Sequence, residues 1–172
     1  MHSQEASSVN TRRGFHYIEE RHREVSGVKH NNYMIHDMVS LRYFMTEAYD
    51  VMPLPKAVLP AFVEVLGALD DADYNGVVGI TVEKETFDKV AAFIGTTADF
   101  KMRQSTEAMR TTVALSPEEL TRLSYESPRM LEEYYRHVEQ TQADYQRAVN
   151  FSRALHRRTK VSVPRSTVVE RA

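Results

Sequence analysis

The chain has 172 residues, 42% of them hydrophobic and 27% charged, with a net charge of −2 and no cysteine. That length suits a single core, because domains cluster near roughly 100–150 residues. The lack of cysteine excludes a disulfide framework, a thiolate zinc site and a cysteine nucleophile, and points to a reducing intracellular compartment, while only six Gly and six Pro argue against a loop-rich β architecture.

Residues 1–11 are small and polar, a tail by composition, and they lack the apolar run of a secretory signal. A first helix is expected from about Thr11 to Val25, ending where Ser26-Gly27 can terminate it, with Asn31-Asn32 offering a cap for the next. In that second helix Met34, Met38, Leu41, Met45, Ala48 and Met52 alternate in steps of four and three, a heptad seam that Pro53-Leu54-Pro55 stops. Met34, Met38, Leu41, Met45 and Met52 are therefore expected to fill the core or a partner interface, since methionine adapts to irregular packing. A third, short helix is expected to start at Pro60 and continue to Asp70.

Asn75-Gly76 is turn chemistry, and Val77, Val78 and Ile80 suggest a short extended piece. Thr81 is expected to open a helix that Gly95 closes, and Thr96-Thr97 to cap a further run through Met109. Ser116-Pro117-Glu118-Glu119 combines a capping hydroxyl, an N-terminal proline and a glutamate three residues on, and Ser127-Pro128 repeats the device. From there the pattern is helical to about Thr159, roughly 48 Å at about 1.5 Å per residue. Leu131, Tyr134, Val138, Thr141, Tyr145, Ala148, Ser152 and Leu155 form a narrow stripe along it; Leu131, Tyr134, Val138, Tyr145 and Leu155 are its candidate partner contacts.

The fold expected from these elements is all-α: one multi-helix bundle over residues 12–159, with a long C-terminal helix, an N-terminal tail over 1–11 and a basic extended tail over 160–172. Charge is uneven along the chain. Residues 151–172 carry six cations against Glu170, a local +5, and residues 46–75 carry six carboxylates against Lys56, a local −5. Arg153, Arg157, Arg158, Lys160 and Arg165 are thus candidates for contact with phosphate or with an acidic partner.

Motifs for reaction chemistry are sparse. Glu19 and His22 have the three-residue spacing that di-iron helical bundles use, without a second Glu-x-x-His, and Glu133 precedes His137 by four. His36-Asp37 resembles the metal-binding pair of phosphohydrolases but stands alone. Residues 102–138 resemble the C-terminal signature of tyrosine recombinases, whose arginine, histidine and tyrosine would fall on Arg103, Tyr125 and Tyr134. Tyrosine stands there in place of the histidine, and no upstream arginine motif occurs, so no catalytic residue is assigned. No cofactor or metal is assigned either. The expected function is that of a non-enzymatic structural subunit of an organellar complex, a ribonucleoprotein or a virus particle, contacting like or unlike protein subunits and not inserted in a membrane. The alternatives are a packaging or scaffold protein that binds nucleic acid through its basic C-terminus, and a di-iron-like helical metal protein.

Overall fold

The computed structural model describes residues 18–160 and 168–171. Nine elements follow in order: β1 (Ile18–Val25), β2 (Val28–Ile35), α1 (Met38–Val51), α2 (Leu59–Asn75), β3 (Ile80–Glu83), α3 (Lys84–Thr111), α4 (Pro117–Glu126), α5 (Pro128–Lys160) and β4 (Val168–Arg171). The expectation of an all-α bundle is overturned. The chain is helix-dominated but mixed, with a sheet ordered β3-β2-β1-β4.

The first expected helix is a strand. Ser26 and Gly27 both have positive φ, 53° and 82°, the pattern of a two-residue type I′ turn, whose twist matches that of paired strands. The turn sets an unslipped antiparallel register from Val25↔Val28 to Ile18↔Ile35. Glu and Arg in β1 suit a helix by propensity, yet eight residues of cross-strand pairing override that weak preference. Asn31 and Asn32, expected as caps, are ladder residues of β2.

β3 pairs antiparallel with the end of β2, and β4 runs parallel beside β1, with Arg21↔Val168 and Glu24↔Arg171 in register. Ile80 and Val82 are buried while Thr81 and Glu83 are exposed, the period-two alternation of a strand. Thr81 therefore lies inside a strand, and the following helix opens at Lys84.

α1 starts four residues later than the methionine spacing implied. Asp37 is its N-cap, accepting a hydrogen bond from the Ser40 N–H at 3.2 Å, which accounts for the aspartate of the His36-Asp37 pair. α2 ends in a left-handed Gly76: the Gly76 N–H donates to Asp73 O and the Val77 N–H to Ala72 O, a Schellman closure. α3 passes through Gly95 and Thr96 instead of ending there, and the Thr97 hydroxyl donates back to the Phe93 carbonyl at 2.8 Å within the same helix. At Ser116 the expected capping box forms with Glu119 and starts α4.

The described residues group into two compact units, the first including 18–98 and the C-terminal pieces from Arg153 onward, the second comprising 99–152. In the first unit Tyr33, Ile35, Ile80 and Val82 bury one face of the sheet, and Phe87 meets the Tyr33 ring edge-on at 5.5 Å. Leu41, Phe44, Met45 and Ala48 of α1 and Ala61, Phe62, Val65, Leu69 and Ala72 of α2 complete this core, with Phe62 edge-on to Phe93 at 6.2 Å. The second unit buries Ser105, Thr141, Ala148 and Phe151, a narrow and partly polar seam. There the Thr141 hydroxyl donates to the His137 carbonyl at 2.9 Å.

Candidate functional site

α1 and α2 form an antiparallel pair, as two contacts show. Near the start of α1, Arg42 reaches the end of α2, its Nη1 donating to Asp70 Oδ1 at 2.9 Å and its Nη2 to Asp73 Oδ2 at 2.7 Å. Near the end of α1, Tyr49 lies 6.0 Å from Phe62, close to the start of α2. This forked arginine spans two carboxylates at a helix C-terminus, where the macrodipole disfavours negative charge. Glu64, Asp70, Asp71 and Asp73 are all exposed and α2 has no Lys or Arg. Among the described residues, no cation pairs with Glu64 or Asp71.

α2 buries one side in the core and exposes three large apolar side chains elsewhere. The inner side is the core already described. On the outer side Leu59 is 49% exposed, Val63 57% and Tyr74 91%, with Gly67 also exposed between them. At about 100° per residue, Val63, Gly67, Asp70 and Tyr74 fall within about 60° of one another, opposite the buried stripe, so this side is mixed, with Asp70 held by Arg42 between the two apolar side chains. Val39 and Tyr43 of α1, on either side of Arg42 in sequence, are exposed as well.

On the sheet, the buried face grows polar toward the hairpin turn. Lys84 Nζ lies 3.6 Å from Glu20 Oε1 and His22 Nε2 lies 3.7 Å from the same oxygen, while His22 Nδ1 is 2.6 Å from Asn31 Oδ1. These groups satisfy one another in place. Glu19 and His22, spaced for a helical metal site, are three apart on a strand, an odd spacing that assigns the two positions to opposite faces. Among the described residues there is no group of three or more His, Cys, Asp or Glu able to hold a metal ion.

The seam residues fall in different places. Leu41 and Met45 are fully buried in the first unit's own core; Met34 is half-buried in β2, Met38 half-buried at the start of α1, and Met52 half-buried at its C-cap. On α5, Leu131, Tyr134, Val138 and Tyr145 are half-buried and Leu155 is buried. The Tyr134 hydroxyl oxygen accepts the Leu115 N–H at 3.2 Å, which holds the segment before α4 against α5. That phenol is engaged with backbone, and Tyr125, the other tyrosine of the recombinase-like stretch, is 84% exposed on α4. Arg103 is exposed on α3.

The cationic positions are only partly described. Arg153 is exposed, while the side chains of Arg157, Arg158 and Lys160, and the whole of Arg165, lie outside the described residues. Earlier on α5, Arg129 lies 3.7 Å from Glu133 and Arg136 lies 3.8 Å from Glu132, exposed pairs that locally neutralise the helix.

The exposed side of α2 was not legible in the sequence, where the third helix is expected to run only from Pro60 to Asp70 and so excludes Tyr74, which the observed helix includes. The signal was breadth: Ala61, Phe62, Val63, Val65 and Leu66 cover more of the helix circumference than one buried face. No described helix is long and apolar enough to cross a membrane. No family model, curated protein or solved structure matches the chain.

Proposed function

We propose that this protein is a non-enzymatic structural subunit of a larger macromolecular assembly, acting by contact with other protein subunits. The observation that carries this reading is the exposure of Leu59, Val63 and Tyr74 on the part of α2 turned away from its core. Apolar area of this kind favours association at about 25 cal/mol per Å² removed from water, before the entropy of association is set against it. The test is the size of the protein in an extract of its native source, by gel filtration and native mass spectrometry under gentle salt. Elution in a particle far above the 19.8 kDa of the chain supports the proposal, and elution as a free monomer overturns it.

A second reading, nucleic-acid packaging, is favoured by the cations late in α5. Arg147 and Arg153 are exposed without an ion pair among the described residues, in contrast to the paired Arg129 and Arg136. Binding through Arg147 and Arg153 would fall steeply with salt and weaken in an Arg147→Glu/Arg153→Glu variant. Salt-insensitive binding, or binding unchanged by the two substitutions, rejects it.

A further inference from the structure

We propose that the cavity between the α1–α2 connection and α3 binds a medium-chain fatty acid, with the carboxylate at Lys89 and the acyl chain over Ala92 and Phe93. The site lies wholly within the first compact unit and does not depend on the assembly reading.

Local chain geometry builds the cavity. Pro53 and Pro55 follow the end of α1 and restrict the backbone of the connection, so that wall is stiff before any ligand arrives. On the opposite wall Lys89, Ala92, Phe93 and Thr96 are spaced by three, one and three along α3, which places them on one side of that helix. Phe93 is buried and meets Phe62 edge-on, a fixed floor, while Ala92 is small and exposed and leaves the space open. The volume between the walls is about 350 Å³, inside the roughly 300–1,000 Å³ of small-molecule sites.

The chemistry of the lining selects the occupant. Met52, Pro55, Ala57 and Val58 on one wall and Ala92 and Phe93 on the other are apolar; the remaining two lining residues, Lys89 and Thr96, stand about 10 Å apart along α3. The main chain of the connection offers little more. Pro55 has no N–H, its carbonyl already accepts the Val58 and Leu59 N–H groups at 3.0 and 3.1 Å, and the Val58 carbonyl accepts the Phe62 N–H at 2.9 Å. An extended peptide carries a donor and an acceptor at nearly every residue and would leave most of them unpaired here, whereas an acyl chain carries none. Charge then decides the head group. No carboxylate lines the cavity, Lys89 is its one charged lining residue, and Lys56 is exposed in the same connection. Neither lysine is in an ion pair among the described residues, unlike Lys84, which reaches Glu20. One carboxylate at the end of an apolar chain matches one cation at the end of an apolar wall.

The test uses the full chain and octanoate, with binding followed by isothermal titration calorimetry and located by amide NMR shifts. Two controls separate head from tail: octylammonium has the same chain and the opposite charge, and butyrate has the same head group and little chain. Octanoate binds and shifts the Ala92 and Thr96 amides, and each control binds at least about fivefold more weakly, the scale set by one exposed charge or a few methylenes. Ala92→Phe, which fills the cavity, weakens octanoate by about fivefold or more. Lys89→Glu does the same and, in addition, tightens octylammonium, a swap of preference that a merely structural role would not produce. Both substituted positions are exposed, and an unchanged far-UV circular dichroism spectrum separates a binding loss from unfolding. Four results overturn the proposal: no binding of octanoate, equal binding of octanoate and octylammonium, binding unaffected by both substitutions, or amide shifts confined to residues away from the connection and α3.

Discussion

The same substitution at two glycines of α2 is predicted to act with opposite sign. Gly67 lies in the helix interior without positive φ, and a methyl group there meets no atom within 4 Å. Gly67→Ala therefore removes backbone freedom from the unfolded chain and adds no clash, a gain of about 0.5–1 kcal/mol. Gly76 has a φ of 69° at the Schellman closure of the same helix, where open space around the Cβ gives no relief, because the strain is in the backbone itself. Gly76→Ala costs about 1–2 kcal/mol, so the two variants should differ by roughly 2 kcal/mol. Urea unfolding followed by far-UV circular dichroism resolves a difference of that size, and hydrogen exchange of the α2 amides assigns it to this helix. Destabilisation by Gly67→Ala would refute the reasoning, because it would mean that the outer side of α2 is already covered in the isolated chain. A neutral Gly76→Ala would refute the assigned closure.

Two further outcomes follow from packing and hydrogen bonding. Phe87→Ala should destabilise the first unit by about 3–5 kcal/mol, since it empties a fully buried site and removes the edge-on contact with Tyr33; a urea midpoint shift worth under about 1 kcal/mol would contradict that packing. Tyr134→Phe removes the acceptor of the Leu115 N–H and should cost about 0.5–1.5 kcal/mol, with faster exchange of the Leu115 amide; an unchanged exchange rate would show that the bond is not formed.

Local grammar was legible in the residues wherever a short stretch carries its own geometry. Ser116 and Glu119 sit at the spacing a capping box needs, and the box forms. Pro53 stands just after the end of α1, and Pro128 opens a 33-residue helix. These features depend on neighbours one turn away, so a single sequence contains the information.

Of the sheet only a fragment was legible, Ile80 of the expected short extended piece opening β3, because the rest of its evidence is a relation between distant segments. β1 is rich in Glu, Arg and His and resembles a solvated helix; only its register with β2, set by the two positive-φ residues Ser26 and Gly27, makes it a strand. The same relation moved Met34 from a helical seam into a ladder and made Asp37 the true cap of α1. Which side of α2 remains open was likewise a tertiary matter. Ala61, Phe62, Val63 and Val65 are alike in hydropathy, and only packing buried three of them and left Val63 outside. The residues by themselves determined helix ends, turn chemistry and the uneven charge, since those are properties of contiguous chain. Tertiary structure alone decided strand against helix and covered against exposed, because both depend on what lies opposite in space.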